Sequence, residues 1–323
     1  MTTAVRWIGI DVSKAQLDLV SLPDRTHWQV SNDAAGWDQL CLEFATTPPS
    51  LIVLEASGRY ELGVVVALDA AGLTPVVMNP LAIRRFAQSL GKRAKNDRLD
   101  AELLARYAEQ VRPVPRPIPA QTARDLRELL ARRQQLTEEL VMEKNRLHQA
   151  TALVRPSILR LLGVLEAELE SIDQLLAAVV ASDPAWQARV DQLDTVPGIA
   201  PLSATRLAVW LPELGQLTGR ELAALAGVAP YDHDSGRVRG LRQIGAGRAP
   251  VRLTLYQVLL TTIRWEPTFQ AHYAQLVARG KPRKVALVAC MRRLLGLLNA
   301  MVRDGLTWTQ TRVGQGHFLA AAA

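Results

Sequence analysis

Only two cysteines occur in 323 residues, Cys41 and Cys290. They lie far apart and form no metal-ligand spacing, which excludes a disulfide framework and a thiolate metal site. They read as reduced, buried thiols and point to the cytoplasm. Long apolar runs are missing as well. The stretch from Val285 to Val302 is broken by Arg292 and Arg293, short of the ~18 uncharged apolar residues that suggest a membrane span. Met1 to Lys14 lacks the apolar segment of a signal peptide. No segment repeats at a fixed period, which argues against a solenoid. A soluble protein is expected.

Acid is the minority charge: 31 Asp and Glu stand against 38 Lys and Arg, for a net charge of +7 and a pI near 9.8. Such a balance favours a polyanionic partner and says nothing about fold. Hydrophobic residues make up 49%, enough for a globular chain, and the length suggests about two domains, each with its own core.

The first 110 residues alternate strand and helix patterns. Trp7 to Ile10, Gln16 to Ser21 and His27 to Val30 read as an opening meander. A helix from Ala34 to Phe44, a buried strand at Leu51 to Leu54, a helix near Tyr60 to Ala71, a strand at Pro75 to Met78 and a helix from Pro80 follow. Gly91 to Asn96 reads as a basic loop carrying Lys92, Arg93 and Lys95, and Asp97 to Gln110 as a helix. Pro113, Pro115, Pro117 and Pro119 then forbid helix and sheet interior, which makes 111–120 an extended linker. Everything beyond reads as helix. Leu129, Arg133, Leu136, Leu140, Glu143 and Leu147 form a seam, and Ile158 to Val180 a second long helix, so 121–182 is expected to be a helical hairpin or coiled-coil arm. A dimerisation arm and an ordinary bundle both fit it. Residues 183–323 form the last expected domain, helical with Gly-rich turns. The expected architecture is therefore α/β plus all-α, with domains 1–110, 121–182 and 183–323.

Four acids stand out. Asp11 ends the first apolar strand and Glu55 follows Leu51 to Leu54 directly. Asp97 and Asp100 lie three apart, so a helix puts them on one face, about 5–6 Å between Cβ atoms. Each alone could be a strand-end or helix cap. Together they are a set of hard oxygen donors, and converging carboxylates are tolerated where divalent cations sit between them. Asp18 and Glu61 fit surface positions.

A second constellation lies at Tyr231 to Arg252. Ser235 precedes Gly236, and Arg237, Arg239, Arg242, Arg248 and Arg252 follow with no acid among them. Arginine forks match phosphate oxygens, and a serine beside them could attack a phosphodiester if a base removed its proton. His233, Asp232, Asp234 or the metal site could do so. Third, Leu193 to Ala204 reads as helix, tight turn at Gly198, helix. This is a helix–hairpin–helix-like turn that offers backbone N–H groups to a phosphate, or else a plain packing hairpin.

Ile8 to Lys14, Leu54 to Gly58 and Asn96 to Ala101 together resemble the DEDD transposases of bacterial insertion sequences. That family is similar to the RuvC resolvases in this domain and includes bridge-RNA-guided recombinases and Piv-type invertases. The resemblance implies a ribonuclease-H-like (RuvC-like) first domain in which Asp11, Glu55, Asp97 and Asp100 hold Mg²⁺, with Mn²⁺ able to substitute. It also implies a C-terminal transposase domain with Ser235 as the nucleophile, donor and target DNA as substrates, a structured non-coding guide RNA, and a homo-oligomer (dimer or tetramer) with a composite site. Gly247-Arg248-Ala249-Pro250 departs from the family's usual Gly-Lys and small polar residue. Three other readings stay open: a junction nuclease using metal-activated water, a non-catalytic nucleic-acid-binding protein, and an actin-like kinase. Against the kinase, Val12-Ser13-Lys14 stands where such folds need a glycine-rich phosphate turn.

Overall fold

The computed structural model describes residues 5–91, 97–115, 117–231 and 243–314, with the backbone alone for Asp97 and 312–314. The chain divides into two compact units, Met1–Pro119 and Ala120–Ala323.

Unit 1 contains β1 (Trp7–Val12), β2 (Gln16–Leu22), β3 (Thr26–Ser31), α1 (Ala34–Thr46), β4 (Leu51–Glu55), α2 (Leu62–Ala70), β5 (Pro75–Met78), α3 (Pro80–Ser89) and α4 (Asp97–Val111). The strand order is β3-β2-β1-β4-β5. β1, β2 and β3 form the expected antiparallel meander, and β4 and β5 run parallel to β1. This is the ribonuclease-H-like order. Side chains alternate along each strand, and that alternation builds two cores. Ile8, Ile10, Leu17, Leu19, Ile52 and Leu54 face one way and pack with Leu40, Phe44, Val64 and Leu68 of α1 and α2. Leu51 and Val53 face the other way, against Leu103, Leu104 and Ala108 of α4. Being covered on both faces, β1 and β4 read as near-continuous apolar runs.

Gly9 sits on the α4 face of β1. A Cβ there would lie 2.2 Å from Ala101 O and Ala105 N, so α4 rests directly on the strand backbone. Its direction is fixed at the other end, where the Arg112 guanidinium lies 5.2 Å from the Trp7 ring centre. α4 therefore runs antiparallel to β1, and its first turn points toward the end of the strand that carries Asp11.

Unit 2 is helical. It comprises α5 (Gln121–Gln149), α6 (Arg155–Ala181), α7 (Pro184–Asp194), α8 (Pro201–Trp210), α9 (Gly219–Leu225), the two-residue strands β6 (Pro230–Tyr231) and β7 (Gln243–Ile244), α10 (Ala249–Trp265), α11 (Pro267–Ala278), α12 (Arg283–Asp304) and α13 (Trp308–Gly314). α5 and α6 form an antiparallel hairpin. The six seam positions of α5 are buried or half-buried, and polar Arg133 is satisfied there by two bonds to Asp173, at 2.5 and 2.9 Å. The base of the hairpin is not a separate body. Leu126, Leu130, Leu176 and Val180 share one core with the later helices. The caps are those written in the sequence: Asp183 Oδ1 accepts Ala185 N–H at 3.0 Å ahead of α7, and Thr218 with Glu221 closes a capping box on α9. α12 is long and apolar enough to cross a membrane, yet Ala286, Cys290, Leu294 and Leu298 are buried in the core of this unit.

Candidate active site

The parallel register of β1 and β4 pairs Ile10 with Leu54, and one residue further along it sets Asp11 beside Glu55. Adjacent strands lie about 4.8 Å apart. Both acids alternate away from Ile10 and Leu54, so both lie on the α4 face, half-buried. Ala101, the residue after Asp100, touches Gly9, two residues before Asp11 on the same face. The first turn of α4, Asp97 to Asp100, is thereby brought over the strand ends that carry Asp11 and Glu55. The side chain of Asp97 lies outside the described residues. Among the described residues no three acidic, His or Cys side chains are gathered closely enough to hold an ion. Asp11 and Glu55 at the strand ends and Asp100 in that first turn are carboxylates, the chemistry that suits a hard divalent cation.

Asp18 corrects the sequence reading. It is no surface residue but only 5% exposed, directly across from Asp11 in the antiparallel β1–β2 register. It accepts hydrogen bonds from Gln29 Nε2 at 2.6 Å and pairs with His27 Nε2 at 3.1 Å, both from β3. Its place in Leu17-Asp18-Leu19-Val20 was the available signal: Asp18 shares a face with Val20 and Leu22, and α4 covers that face. Glu61, also expected at the surface, is half-buried, and its Oε2 accepts Ser57 N–H at 3.0 Å.

The turns that follow Asp11 and Glu55 are fastened together by a residue the sequence reading passed over. Asn32, just past β3, donates from Nδ2 to Ser13 O at 2.8 Å and to Tyr60 O at 3.1 Å. Its Oδ1 accepts from Trp37 Nε1 at 2.9 Å. One carboxamide thus ties the β1–β2 turn to the β4–α2 turn.

Lys92, Arg93 and Lys95 lie outside the described residues, as do Ser235, Arg237, Arg239 and Arg242. Arg248 is described, and it is engaged by groups of its own unit. Its guanidinium makes two 2.6 Å bonds to Glu213 and one of 2.9 Å to Trp210 O. Arg252 donates to Ala246 O at 2.8 Å. Gly198 has φ +95, and a Cβ there would lie 2.8 Å from Thr262 N. Thr262 Oγ1 also donates to Pro197 O at 2.9 Å. The turn is therefore packed onto α10, which alone accounts for its glycine, although the start of α8 carries no side-chain cap. Neither cysteine is a ready nucleophile: burial pushes the Cys41 thiol up, and pushes the Cys290 thiol up to about 11.

Residues 8–156 match a family model of DEDD transposases of the IS110 type, and residues 190–274 match one described as a transposase of the IS116/IS110/IS902 family. A pilin gene-inverting protein of Moraxella lacunata is 27% identical over 309 residues, 92% of this chain and 96% of that one. A 43.6 kDa protein of insertion element IS110 from Streptomyces coelicolor is 27% identical over 171 residues, 49% of this chain and 42% of its own length. Among solved structures, T. thermophilus RuvC bound to a Holliday junction substrate is 14% identical. It covers 35% of this chain and 99% of its own, with a TM-score of 0.27.

Proposed function

The chain belongs to the IS110-type DEDD transposase family, and from that premise we propose that it is a DNA transposase or site-specific recombinase that cuts and rejoins DNA through a serine-linked intermediate. The observation that carries this reading is the convergence of Asp11, Glu55 and the first turn of α4 on one face of the sheet. The Moraxella relatives are named for inverting a gene, an outcome that requires rejoining as well as cutting.

Asp11, Glu55, Asp97 and Asp100 would hold Mg²⁺, and the all-oxygen donor set fits it. When bound, the ion supplies positive charge against the developing charge of phosphodiester cleavage. The chain's own part is positional. β1 and β4 fix Asp11 and Glu55 side by side, α4 carries Asp97 and Asp100 to them, and Asn32 holds the two following turns.

Ser235 supplies the nucleophile. Its Oγ loses a proton to a neighbouring base and bonds to phosphorus. The P–O bond to one strand end breaks, and that end leaves as a hydroxyl. A hydroxyl of another strand then reverses the step and frees the serine, so no nucleotide triphosphate is consumed. Neither thiol competes for this role, since both are held protonated by burial. The basic balance of the chain suits DNA together with a structured guide RNA. Val141, Met142, Leu153, Val154 and Val164 are exposed along the α5–α6 hairpin, which suits a homo-oligomer. The setting is cytoplasmic.

The test is a denaturing gel of end-labelled donor DNA incubated with the protein, Mg²⁺ and small RNA. A protein–DNA adduct that is lost in both Ser235→Ala and Asp11→Asn is expected. Cleavage that persists in Ser235→Ala without an adduct overturns the serine mechanism in favour of hydrolysis by water.

A further inference from the structure

We infer that the groove between α5, α8, α10 and α12 is a subsite for one unpaired nucleotide of a DNA strand. The inference rests on the DNA-recombining reading above and adds a recognition site to it. The groove has a volume of about 760 Å³ and lies wholly within unit 2, with Ile244 of β7 at its edge.

Two features select the occupant. The first is apolar surface with flat rings. Trp210 and Tyr256 line the groove beside Leu253 and Ile244, and Tyr256 is 42% exposed, Leu253 47% and Ile244 39%. A concave, mainly apolar groove with a few polar groups has the form of a ligand site.

The second is charge. Arg206 and Arg252 line the groove, and among the described residues no acidic side chain does. Arg206 is half-buried, and burial holds its guanidinium below the usual range. Its hydrogen bond to Gln257 Oε1 is a long 3.5 Å. Asp173, the carboxylate that acts on it, is engaged on both oxygens by Nε and Nη2 of Arg133. Arg252 gives Nη1 to two backbone carbonyls, Ala246 O at 2.8 Å and Gly227 O at 3.4 Å. Two cations with no acid among the described lining residues, set in an aromatic and aliphatic trough, match a phosphate joined to a flat base.

A second copy of the chain carries a net charge of +7 and would bring charge of the same sign as the two arginines. A paired duplex would bring the anion while hiding its base faces. An unpaired nucleotide brings both. Arginine forks take the phosphate oxygens, Tyr256 and Trp210 stack on the base, and Gln134 can meet its polar edge. Extruding one nucleotide costs a few kcal/mol in paired DNA and least where the base is already unpaired, so the subsite would favour DNA opened at the point of exchange.

The experiment compares full-length protein binding, by fluorescence anisotropy, to a duplex carrying one unpaired thymidine and to the same duplex with an abasic residue there. The wild type is expected to prefer the base by about five-fold or more, the smallest effect of one stacked base. Tyr256→Ala and Arg206→Gln should each erase that preference while melting as the wild type does. Photocrosslinking of 5-iodouracil at the unpaired position to the wild type should map to Trp210 or Tyr256.

Equal binding of the two duplexes, or a crosslink outside the groove, overturns the subsite. So does light scattering in which Arg206→Gln and Leu253→Asp dissociate an oligomer without touching the base preference, since a second copy then fills the groove. Binding requires no cleavage, so a chain that prefers the base yet never forms the serine adduct keeps the subsite and loses the recombinase mechanism. The opposite pattern does the reverse.

Discussion

Gly9→Ala adds one methyl group, and the contact between β1 and α4 makes it costly. Gly9 lies in a strand at ordinary φ, where alanine commonly stabilises by about 0.4–1 kcal/mol by restricting the unfolded chain. Here packing reverses the sign. The new Cβ would stand 2.2 Å from both Ala101 O and Ala105 N and 2.8 Å from Leu104 C, all backbone atoms, whereas ordinary contact begins at 3.4 Å. No side chain can rotate out of the way, so α4 must retreat from β1 by more than 1 Å. Overpacking of this size costs about 1–3 kcal/mol, a fall of about 4 °C or more in the melting of a unit this small.

The retreat also carries Asp97 and Asp100 away from Asp11 and Glu55. A displacement of about 1 Å in a reacting group costs about a hundred-fold in rate. Circular dichroism melting and single-turnover cleavage of donor DNA check the two halves of the prediction separately. A variant as stable and as fast as wild type refutes the close approach itself. A variant that loses stability but cuts at the wild-type rate refutes the claim that α4 sets the spacing of the acids.

Asn32→Asp keeps the acceptor for Trp37 but loses both donors and turns a carboxylate toward Ser13 O and Tyr60 O. It should cost about 1–3 kcal/mol and lower the cleavage rate at saturating DNA with the KM for DNA unchanged, whereas a purely structural role would leave the rate of the folded fraction intact. Divalent metal should raise the melting temperature of the wild type, by about 2.7 kcal/mol of stability at a hundred times its dissociation constant, and Asp11→Asn should remove that increase. Cys290 binds its proton more tightly folded than unfolded, with a folded pKa of about 11 against 9.0. Its contribution is therefore complete below pH 9 and lost as pH rises toward 11. Urea midpoints across that range should fall less in Cys290→Ala than in wild type.

β1, β2, β4 and β5 were legible as short, largely apolar runs closed by turns, whereas β3 is mostly polar and α2 is apolar around most of its circumference. Asp11 and Glu55 stood out for the same reason: each is a carboxylate directly after a run of buried residues. Asp18 was not, because its partners His27 and Gln29 come from the next strand and only the β2–β3 register brings them to it. Asn32 was hidden more deeply. Its three partners lie 5, 19 and 28 residues away, and an asparagine after a strand reads simply as a turn residue. At Arg248 it was the pairing that the sequence concealed. A run of arginines with no acid nearby in sequence reads as a phosphate surface, yet Glu213, 35 residues earlier, takes both ends of its guanidinium. Charge along the chain was readable, and charge pairing across the fold was not.

The placement of Asp18 bears on how one sheet face holds so many carboxylates. Glu55, Asp11 and Asp18 stand on three successive strands at one level, a row of like charges that would oppose folding if each were left to its neighbours. The sheet treats them differently. Asp18 is nearly closed to solvent and receives hydrogen bonds from β3, so protein groups answer its charge. Asp11 and Glu55 remain half-open, under the first turn of α4, where an ion can reach them from solvent. Burial thus sets Asp18, bonded to the next strand, apart from Asp11 and Glu55, which solvent still reaches. Its origin is plain in the topology: β3, which supplies His27 and Gln29 to Asp18, flanks only the β2 side of the row.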